Sequence, residues 1–200
     1  MLKIAITGNI GSGKSTVSKI FRDMGIHTVS CDDLVRQFHS PGNVLWMNVK
    51  KEWGGRYIGH DQRIDRKKLA RDLLESREFR EKLEDISHPV VKEEMIKIFN
   101  KWKSEGSKMV AAEVPLLYEA GWEYMFDKVV LTVVSRQQQI KRIVETRSID
   151  VRLAEKWINV QRNRREKEGK SDIVVNMDKD IEEIRVILKK FIESLKEADQ

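Results

Sequence analysis

The chain has 200 residues and a mass of 23.4 kDa, the size of one domain or of one domain with an inserted subdomain. Hydrophobic residues make up 40% of it and charged residues 35%, so a packed core is expected and disorder is excluded. No apolar run is long enough to cross a membrane, and a single cysteine, Cys31, excludes a disulfide framework and a multiple-cysteine zinc site. We therefore expect a cytoplasmic protein without a membrane partner.

The net charge of +6 is concentrated in one segment. Between Arg136 and Lys167 there are ten basic and four acidic residues, an excess equal to that of the whole chain. A local excess favours an anion site over a broad nucleic-acid surface, although a solvated helix face would give the same composition. We expect no nucleic-acid partner, and a basic nucleic-acid-binding module remains an alternative.

The first 42 residues alternate between strand and helix patterns. Residues 2–7 form a short apolar run that predicts a strand, and a glycine-rich turn leads from it into a helix that stops at Gly25. Residues 26–30 predict a second strand, followed by a helix that begins near Asp32 and ends at Ser40-Pro41-Gly42.

Residues 43–104 contain only helical patterns and read as a helical insertion. Asp65 and Ser76 stand at N-cap positions, and Pro89 suits the first position of a further helix. The expected helices cover residues 44–53, 65–74, 76–86 and 89–102.

The rest of the chain returns to alternation. Strands are expected at residues 108–114, 128–134 and 172–175, and helices at 136–146, 150–165 and 180–195. Unbroken apolar strands separated by helices are typical of a parallel sheet covered on both faces. The sequence therefore predicts an α/β fold with a five-stranded parallel sheet.

Residues 8–15 match the phosphate-loop motif G-x-x-x-x-G-K-[ST] at every fixed position, between a predicted strand and a predicted helix. Its glycines let backbone amides surround an anion, Lys14 would reach the β- and γ-phosphates, and the Ser15 hydroxyl would face Mg²⁺. A chance glycine turn is the alternative. The predicted ATP-binding residues of the loop are Gly8, Asn9, Ile10, Gly11, Ser12, Gly13, Lys14, Ser15 and Thr16.

Absent motifs narrow the class of nucleotide-binding protein. The chain has no N-K-x-D guanine-reading element, and neither the strand at 108–114 nor that at 128–134 ends in the aspartate of a motor's Mg²⁺ site. GTPases and motors are therefore disfavoured, and a kinase acting on a small molecule remains. Asp32, just past the second strand, is placed to act as the base for an acceptor hydroxyl. Either Asp32 or Asp33 would serve equally well as a helix N-cap.

The chain resembles the dephospho-CoA kinases over nearly its whole length. The resemblance rests on the glycine loop, on Cys31-Asp32, on Ser87-His88-Pro89 and on residues 114–121, Val-Pro-Leu-Leu-Tyr-Glu-Ala-Gly. It implies a three-layer P-loop kinase fold with a core at 1–42, 105–135 and 166–200, a CoA-binding helical insertion at 43–104 and a lid at 136–165. It also implies ATP-dependent phosphorylation of the ribose 3′-hydroxyl of dephospho-CoA, with another small-molecule kinase, for a nucleoside or nucleotide, as the alternative.

The resemblance also implies roles for individual residues. Asp32 and Lys14 would be catalytic, and the acceptor would be bound by Asp32, His88, Pro115, Leu116, Tyr118 and Glu119. His88 could instead cap the helix that Pro89 starts, and Glu113 could equally hold Mg²⁺ through water or support the acceptor pocket. We expect a monomer or a weak homo-oligomer.

The lid departs from the family pattern. Gln139, Arg142 and Gln161 fall on matching positions, but the expected lid arginine falls on Thr146, with Arg147 one place later, and another falls on Trp157. A guanidinium can hold phosphate oxygens through paired hydrogen bonds. We expect Arg142 and Arg147 to contact ATP.

Overall fold

The computed structural model describes residues 1–161 and 164–197. The strands are β1 (Leu2–Thr7), β2 (His27–Ser30), β3 (Met109–Glu113), β4 (Lys128–Val133) and β5 (Ile173–Asn176). The helices are α1 (Lys14–Asp23), α2 (Cys31–Phe38), α3 (Val44–Trp53), α4 (Arg66–Glu75), α5 (Arg77–Ser104), α6 (Arg136–Arg147), α7 (Val151–Asn159), α8 (Arg164–Glu168) and α9 (Ile181–Glu197). No described helix is long and apolar enough to cross a membrane.

Within the described residues the five strands form one sheet in the order β2-β3-β1-β4-β5. The β1–β4 and β4–β5 pairs are parallel, with Thr7 opposite Leu131 and Val133 opposite Asn176. Residues 4–7 of β1 and 129–133 of β4 are buried, as unbroken apolar runs predict when helices cover both faces. The prediction of an α/β fold with a five-stranded parallel sheet is confirmed.

The chain divides into two compact units. One contains residues 2–28 together with the chain from 111 onward, and carries β1, α1, β4 and β5. The other contains residues 29–110 and Met1, and carries α2 to α5, including the predicted insertion at 43–104. We call them the sheet unit and the helical unit.

A buried aromatic cluster forms the core of the helical unit. The Trp53 and Phe79 ring centroids lie 4.8 Å apart, and Tyr57, completely buried, lies 5.3 Å from Phe79. The Tyr57 hydroxyl donates to the carboxylate of Asp72, which also binds Arg56 at 2.6 Å. Both predicted N-caps are confirmed, because Asp65 and Ser76 accept hydrogen bonds from Lys68 N and Phe79 N.

The prediction of separate helices at 76–86 and 89–102 is wrong. Helix α5 runs unbroken through Pro89, which lies inside it rather than at its first position. An internal proline costs a helix about 3 kcal/mol. Leu83 before it and Val91, Met95 and Phe99 after it are all buried. Burial on both sides of the proline offsets that cost, since each such side chain contributes roughly 1.5–3 kcal/mol.

The helix predicted at 150–165 is also shorter than expected. Helix α7 ends at Asn159, and α8 begins at Arg164; Arg162 and Asn163, which belong to the predicted helix, lie outside the described residues. Ala154 and Ile158 of α7 pack with Ile143 in a small apolar cluster. Ile158 is the last buried residue of α7, and most helical stability in proteins comes from such packing.

His39, at the C-terminal end of α2, gives the helical unit a pH-dependent stability. The side chain is buried, both ring nitrogens lack hydrogen-bond partners in the described residues, and burial followed by the Arg66 guanidinium lowers its pKa from 6.5 to about 4. The folded protein therefore takes up the proton less readily than the unfolded chain. This contribution is fully present above pH 6.5 and is lost as pH falls toward 4.

We expect His39→Leu to remove a pH-dependent loss of about 2.5 kcal/mol between pH 7 and pH 4.5, the part of that pKa difference that falls in this range. Urea unfolding at pH 7 and at pH 4.5 measures the loss in the wild type and the variant. His60→Leu is the control, because His60 is exposed and should leave the loss unchanged. An equal loss in wild type and His39→Leu would contradict the prediction.

Candidate active site

The glycine loop closes on itself at the end of β1 in the sheet unit. Gly8 has φ 149°, and a Cβ at this position would lie 2.5 Å from the carbonyl oxygen of Thr132, so only glycine allows the close approach to β4. Gly13 is the N-cap of α1 with φ 91° and offers no side chain to the first-turn amides. The positive end of the helix is thus available to an anion.

Lys14 lies folded into the loop. It is only 8% exposed, and its Nζ donates to the carbonyl oxygens of Gly8 at 3.0 Å and Asn9 at 3.2 Å. Ser15 is exposed on the first turn of α1. An ammonium group held on the loop's own carbonyls is close to where the motif would bind phosphate.

Side chains from other elements of the sheet unit brace the loop from outside. Gln139 Nε2 donates to the Ile10 carbonyl oxygen at 2.7 Å, and Ile10 N donates to Gln161 Oε1 at 2.7 Å. Ser12 Oγ lies 2.7 Å from Thr132 Oγ1. The sequence marked both glutamines as family positions but gave them no role, because side-chain hydrogen bonds to a distant backbone leave no local pattern.

Arg142 is brought next to the loop. Its Nη2 donates to the Met177 carbonyl oxygen at 3.0 Å, and a Cβ placed on Gly13 would lie 3.3 Å from its Nη1. An open pocket of about 420 Å³ adjoins it, lined by Ser135, Gln137, Gln138, Arg142, Met177, Asp178 and Lys179. This position is compatible with the expected ATP contact.

Arg147 has a different environment. Its guanidinium carbon lies 5.1 Å from the centroid of the Trp157 ring. Five residues of α-helix turn through about 140° relative to Arg142, so the two arginines leave α6 on different faces. An ATP contact of Arg147 stays a prediction, and the tryptophan that replaces an expected lid arginine is its stacking partner.

Glu113 lies at the end of β3 in the sheet unit. It is 9% exposed, and Ser18 Oγ on α1 donates to its Oε2 at 2.9 Å. In residues 1–161 and 164–197 no three acidic, histidine or cysteine side chains are grouped as metal ligands. Mg²⁺ commonly takes few protein ligands and completes its shell with phosphates and water, so oxygen donors such as Ser15 and Glu113 suit it. Both alternatives for Glu113 stay open.

The loop after β3 contains the other predicted acceptor residues of the sheet unit. Pro115 and Leu116 are half-buried, whereas Tyr118 is only 3% exposed and Glu119 Oε1 lies 2.9 Å from Lys167 Nζ. Burial is the first cause that raises the pKa of the Tyr118 hydroxyl, which therefore stays protonated at neutral pH. The four residues share a loop but not one environment, and Lys167 is a partner that the sequence did not indicate.

Asp32 and His88 belong to the helical unit. Ser30, not Asp32 or Asp33, is the N-cap of α2: its side chain accepts from Asp33 N at 3.3 Å. The capping alternative for these aspartates is therefore wrong. Asp33 forms an ion pair with Arg36. Within residues 1–161 and 164–197, the exposed Asp32 carboxylate makes no hydrogen bond or ion pair.

His88 lies inside α5, so the prediction that it could cap a helix starting at Pro89 is wrong as well. It is half-buried, and this burial lowers its pKa. The nearby Asp85 carboxylate raises the pKa by a smaller amount. At neutral pH the imidazole is neutral and can accept or donate a hydrogen bond.

Comparison with known proteins identifies the family. The family model described as dephospho-CoA kinase matches residues 2–183. The chain belongs to the dephospho-CoA kinase family. It is 30% identical to the dephospho-CoA kinase of Listeria monocytogenes over 95% of both chains, and 31% identical to that of Fusobacterium nucleatum over 96% of this chain and 97% of the relative.

A crystal structure of a protein from Thermus thermophilus is similar to this chain, with a TM-score of 0.77, 26% identity and 97% of both chains covered. A shikimate kinase from Bacteroides thetaiotaomicron, 17% identical with a TM-score of 0.53, shares the fold. The dephospho-CoA kinase family and the P-loop kinase fold that the sequence predicted are confirmed. The family match also supports the main functional prediction over a nucleoside or nucleotide kinase.

Proposed function

We propose that this kinase transfers the γ-phosphoryl group of ATP to the ribose 3′-hydroxyl of dephospho-CoA, giving coenzyme A and ADP. The observation that carries the proposal is the family match over residues 2–183, which includes the glycine loop as well as the helical unit. The loop geometry supports the nucleotide half of the reaction, because the N-terminus of α1 has no side-chain cap and Lys14 Nζ lies 3.0 Å from the Gly8 carbonyl oxygen of the same loop.

Each group has a defined task in this proposal. The loop amides and Lys14 bind the β- and γ-phosphates, so the charge that develops during transfer meets fixed donors. Asp32 accepts the proton of the acceptor hydroxyl as its oxygen attacks phosphorus, and Arg142 holds the nucleotide from α6. His88, Pro115, Leu116, Tyr118 and Glu119 remain predictions for the acceptor side. Thr16 and Arg147 remain predictions for the ATP side.

Mg²⁺ is the proposed cofactor. When bound it neutralises charge on the β- and γ-phosphate oxygens. The Ser15 hydroxyl would hold it, with Glu113 as a further oxygen donor through water. A reaction that consumes ATP suits a cytoplasmic enzyme, and we propose a monomer or weak homo-oligomer without a nucleic-acid partner.

An acceptor panel tests the proposal. Purified protein with ATP and Mg²⁺ should release ADP with dephospho-CoA, but not with adenosine, AMP or pyrimidine nucleosides. The product should co-elute with coenzyme A and separate from the 2′-phosphate isomer. Dephospho-CoA lacking the 3′-hydroxyl is the matched control: it should bind as a competitive inhibitor and not turn over. Turnover of a nucleoside in place of dephospho-CoA would reject the proposal.

A further inference from the structure

A buried lysine in the sheet unit makes an ion pair that no motif indicates. Lys167, in α8, is only 1% exposed, and its Nζ lies 2.9 Å from Oε1 of Glu119, whose side chain is 16% exposed. A charge removed from water is tolerated only next to a partner, so the buried Lys167 depends on Glu119. This pair fixes α8 against the loop that follows β3.

Hydrogen bonds from the neighbouring residue reinforce the contact. The buried Tyr118 hydroxyl donates to the Lys170 carbonyl oxygen at 3.0 Å and lies 2.8 Å from Ser171 Oγ. Ser171 Oγ in turn donates to the Lys167 carbonyl oxygen at 2.7 Å. Two consecutive residues of the loop, 118 and 119, are thus both held by the segment 167–171.

The same lysine borders the nucleotide loop. A cavity of about 40 Å³ is lined by Lys167 together with Asn9 and Ser12 of the glycine loop and with Gln139, which donates to Ile10. Lys167 therefore lines a cavity that also borders the glycine loop, and it pairs with Glu119 of the loop after β3. A displacement of Lys167 would therefore move both the glycine loop and the loop 115–121, because close-packed interiors transmit displacement.

Stability alone is a weak reason for such a pair. Well-packed apolar side chains of similar volume often replace a buried ion pair with no loss of stability. A close charge pair combined with the directional Tyr118 hydrogen bonds does one thing that an apolar contact does not, which is to set one relative position of the two segments. Phosphoryl transfer depends on placing the acceptor within a fraction of an ångström.

We propose that the Lys167–Glu119 ion pair, with the Tyr118 hydrogen bonds, is a latch that sets the position of the acceptor-side loop 115–121 relative to the ATP-binding loop. Lys167 is then a positioning residue that acts without contact with the reacting atoms, and it holds Glu119, a predicted acceptor-side residue, in place. The latch rests on the proposed function for its effect on turnover, but not for its effect on the loop itself.

Steady-state kinetics of single and double variants test the latch. We expect Lys167→Met to raise KM for dephospho-CoA about tenfold and to lower kcat, with KM for ATP changed less than about threefold. The double variant Lys167→Met/Glu119→Met should regain the thermal stability that Lys167→Met loses, because the carboxylate that faced Lys167 is removed as well, and still show the raised acceptor KM. A double variant with wild-type acceptor KM would overturn the proposal.

The control and a second variant cover other outcomes. Lys189→Met removes a lysine from an exposed pair with Glu193 in α9 and should leave both KM values unchanged. If the double variant does not fold, Tyr118→Phe tests the latch without leaving a buried charge. Hydrogen exchange of the amides at 115–121 should be at least about threefold faster in Tyr118→Phe than in the wild type. Unchanged exchange would reject the latch.

Failure of the two proposals gives different results. If wild-type protein does not phosphorylate dephospho-CoA, the proposed function fails, and hydrogen exchange in the nucleotide-free protein still decides whether 115–121 is held by the latch. If wild-type turnover is as proposed and the variants match it in acceptor KM and exchange, the latch alone fails.

Discussion

Replacing Lys14 by alanine is expected to lower kcat/KM with dephospho-CoA by about 10³-fold or more. The substitution removes the buried ammonium group that the loop holds on the Gly8 and Asn9 carbonyl oxygens, next to the predicted phosphate position. Fixed positive charge at transferring phosphoryl oxygens is among the largest contributions to catalysis of this kind. A coupled assay of ADP release measures the loss of turnover. Calorimetry measures the loss of ATP affinity.

Two comparisons separate this effect from damage to the fold. Lys14→Met keeps the aliphatic stem and should lose turnover to the same degree while retaining the wild-type thermal midpoint. Lys19→Ala removes an exposed lysine of the same helix α1 and should keep activity within about threefold of the wild type. Activity of Lys14→Ala within tenfold of the wild type would show that the glycine loop is not the phosphate site.

Replacing Asp32 by asparagine is expected to lower kcat by about 10²–10⁴-fold, the usual contribution of a positioned general base. ATP affinity should change less than about threefold, because Asp32 is assigned to the acceptor hydroxyl. The substitution is nearly isosteric, and Ser30 rather than Asp32 caps α2, so the helix keeps its N-terminal hydrogen bond. Single-turnover kinetics with saturating ATP and dephospho-CoA measure the chemical step directly.

Asp33→Asn is the matched control for this variant. Asp32 and Asp33 are adjacent, exposed and in the first turn of α2. Either substitution therefore removes the same favourable interaction of a carboxylate with the helix dipole, worth about 0.3–1 kcal/mol. Asp33 pairs with Arg36 and has no role in the proposed reaction. Equal losses of kcat in the two variants would mean that the effect comes from the helix, and would remove Asp32 from the chemistry.

Most elements of the fold could be predicted because their signals are local. The strand at Leu2–Thr7 was predicted with its observed bounds, and Asp65 and Ser76 were predicted as N-caps and are N-caps. The errors have one common cause. Helix α5 continues through Pro89, and α7 ends early, because of which side chains are buried against other elements. The residues next to these positions do not predict that burial.

The candidate site likewise has one part that could be predicted from local sequence and one part that could not. The glycine loop is one run of residues whose own backbone makes the anion cradle, so its chemistry and the family resemblance were readable without a structure. The contacts that hold this cradle, Gln139 and Gln161 on Ile10 and Arg142 beside Gly13, join residues far apart in the chain. Their pairing depends on how α6 and the segment after α7 pack.

The sequence by itself determined the class of protein, the nucleotide loop and the family, because each rests on contiguous residues whose chemistry is local. Only the tertiary structure decided that Ser30 caps α2, that Arg142 lies beside Met177 while Arg147 lies over Trp157, and that a buried Lys167 pairs with Glu119. A charged residue in a basic run looks solvated until packing excludes water from it. Burial is a property of the folded chain as a whole. Among the ten basic residues of 136–167 it distinguishes Lys167, the proposed positioning residue.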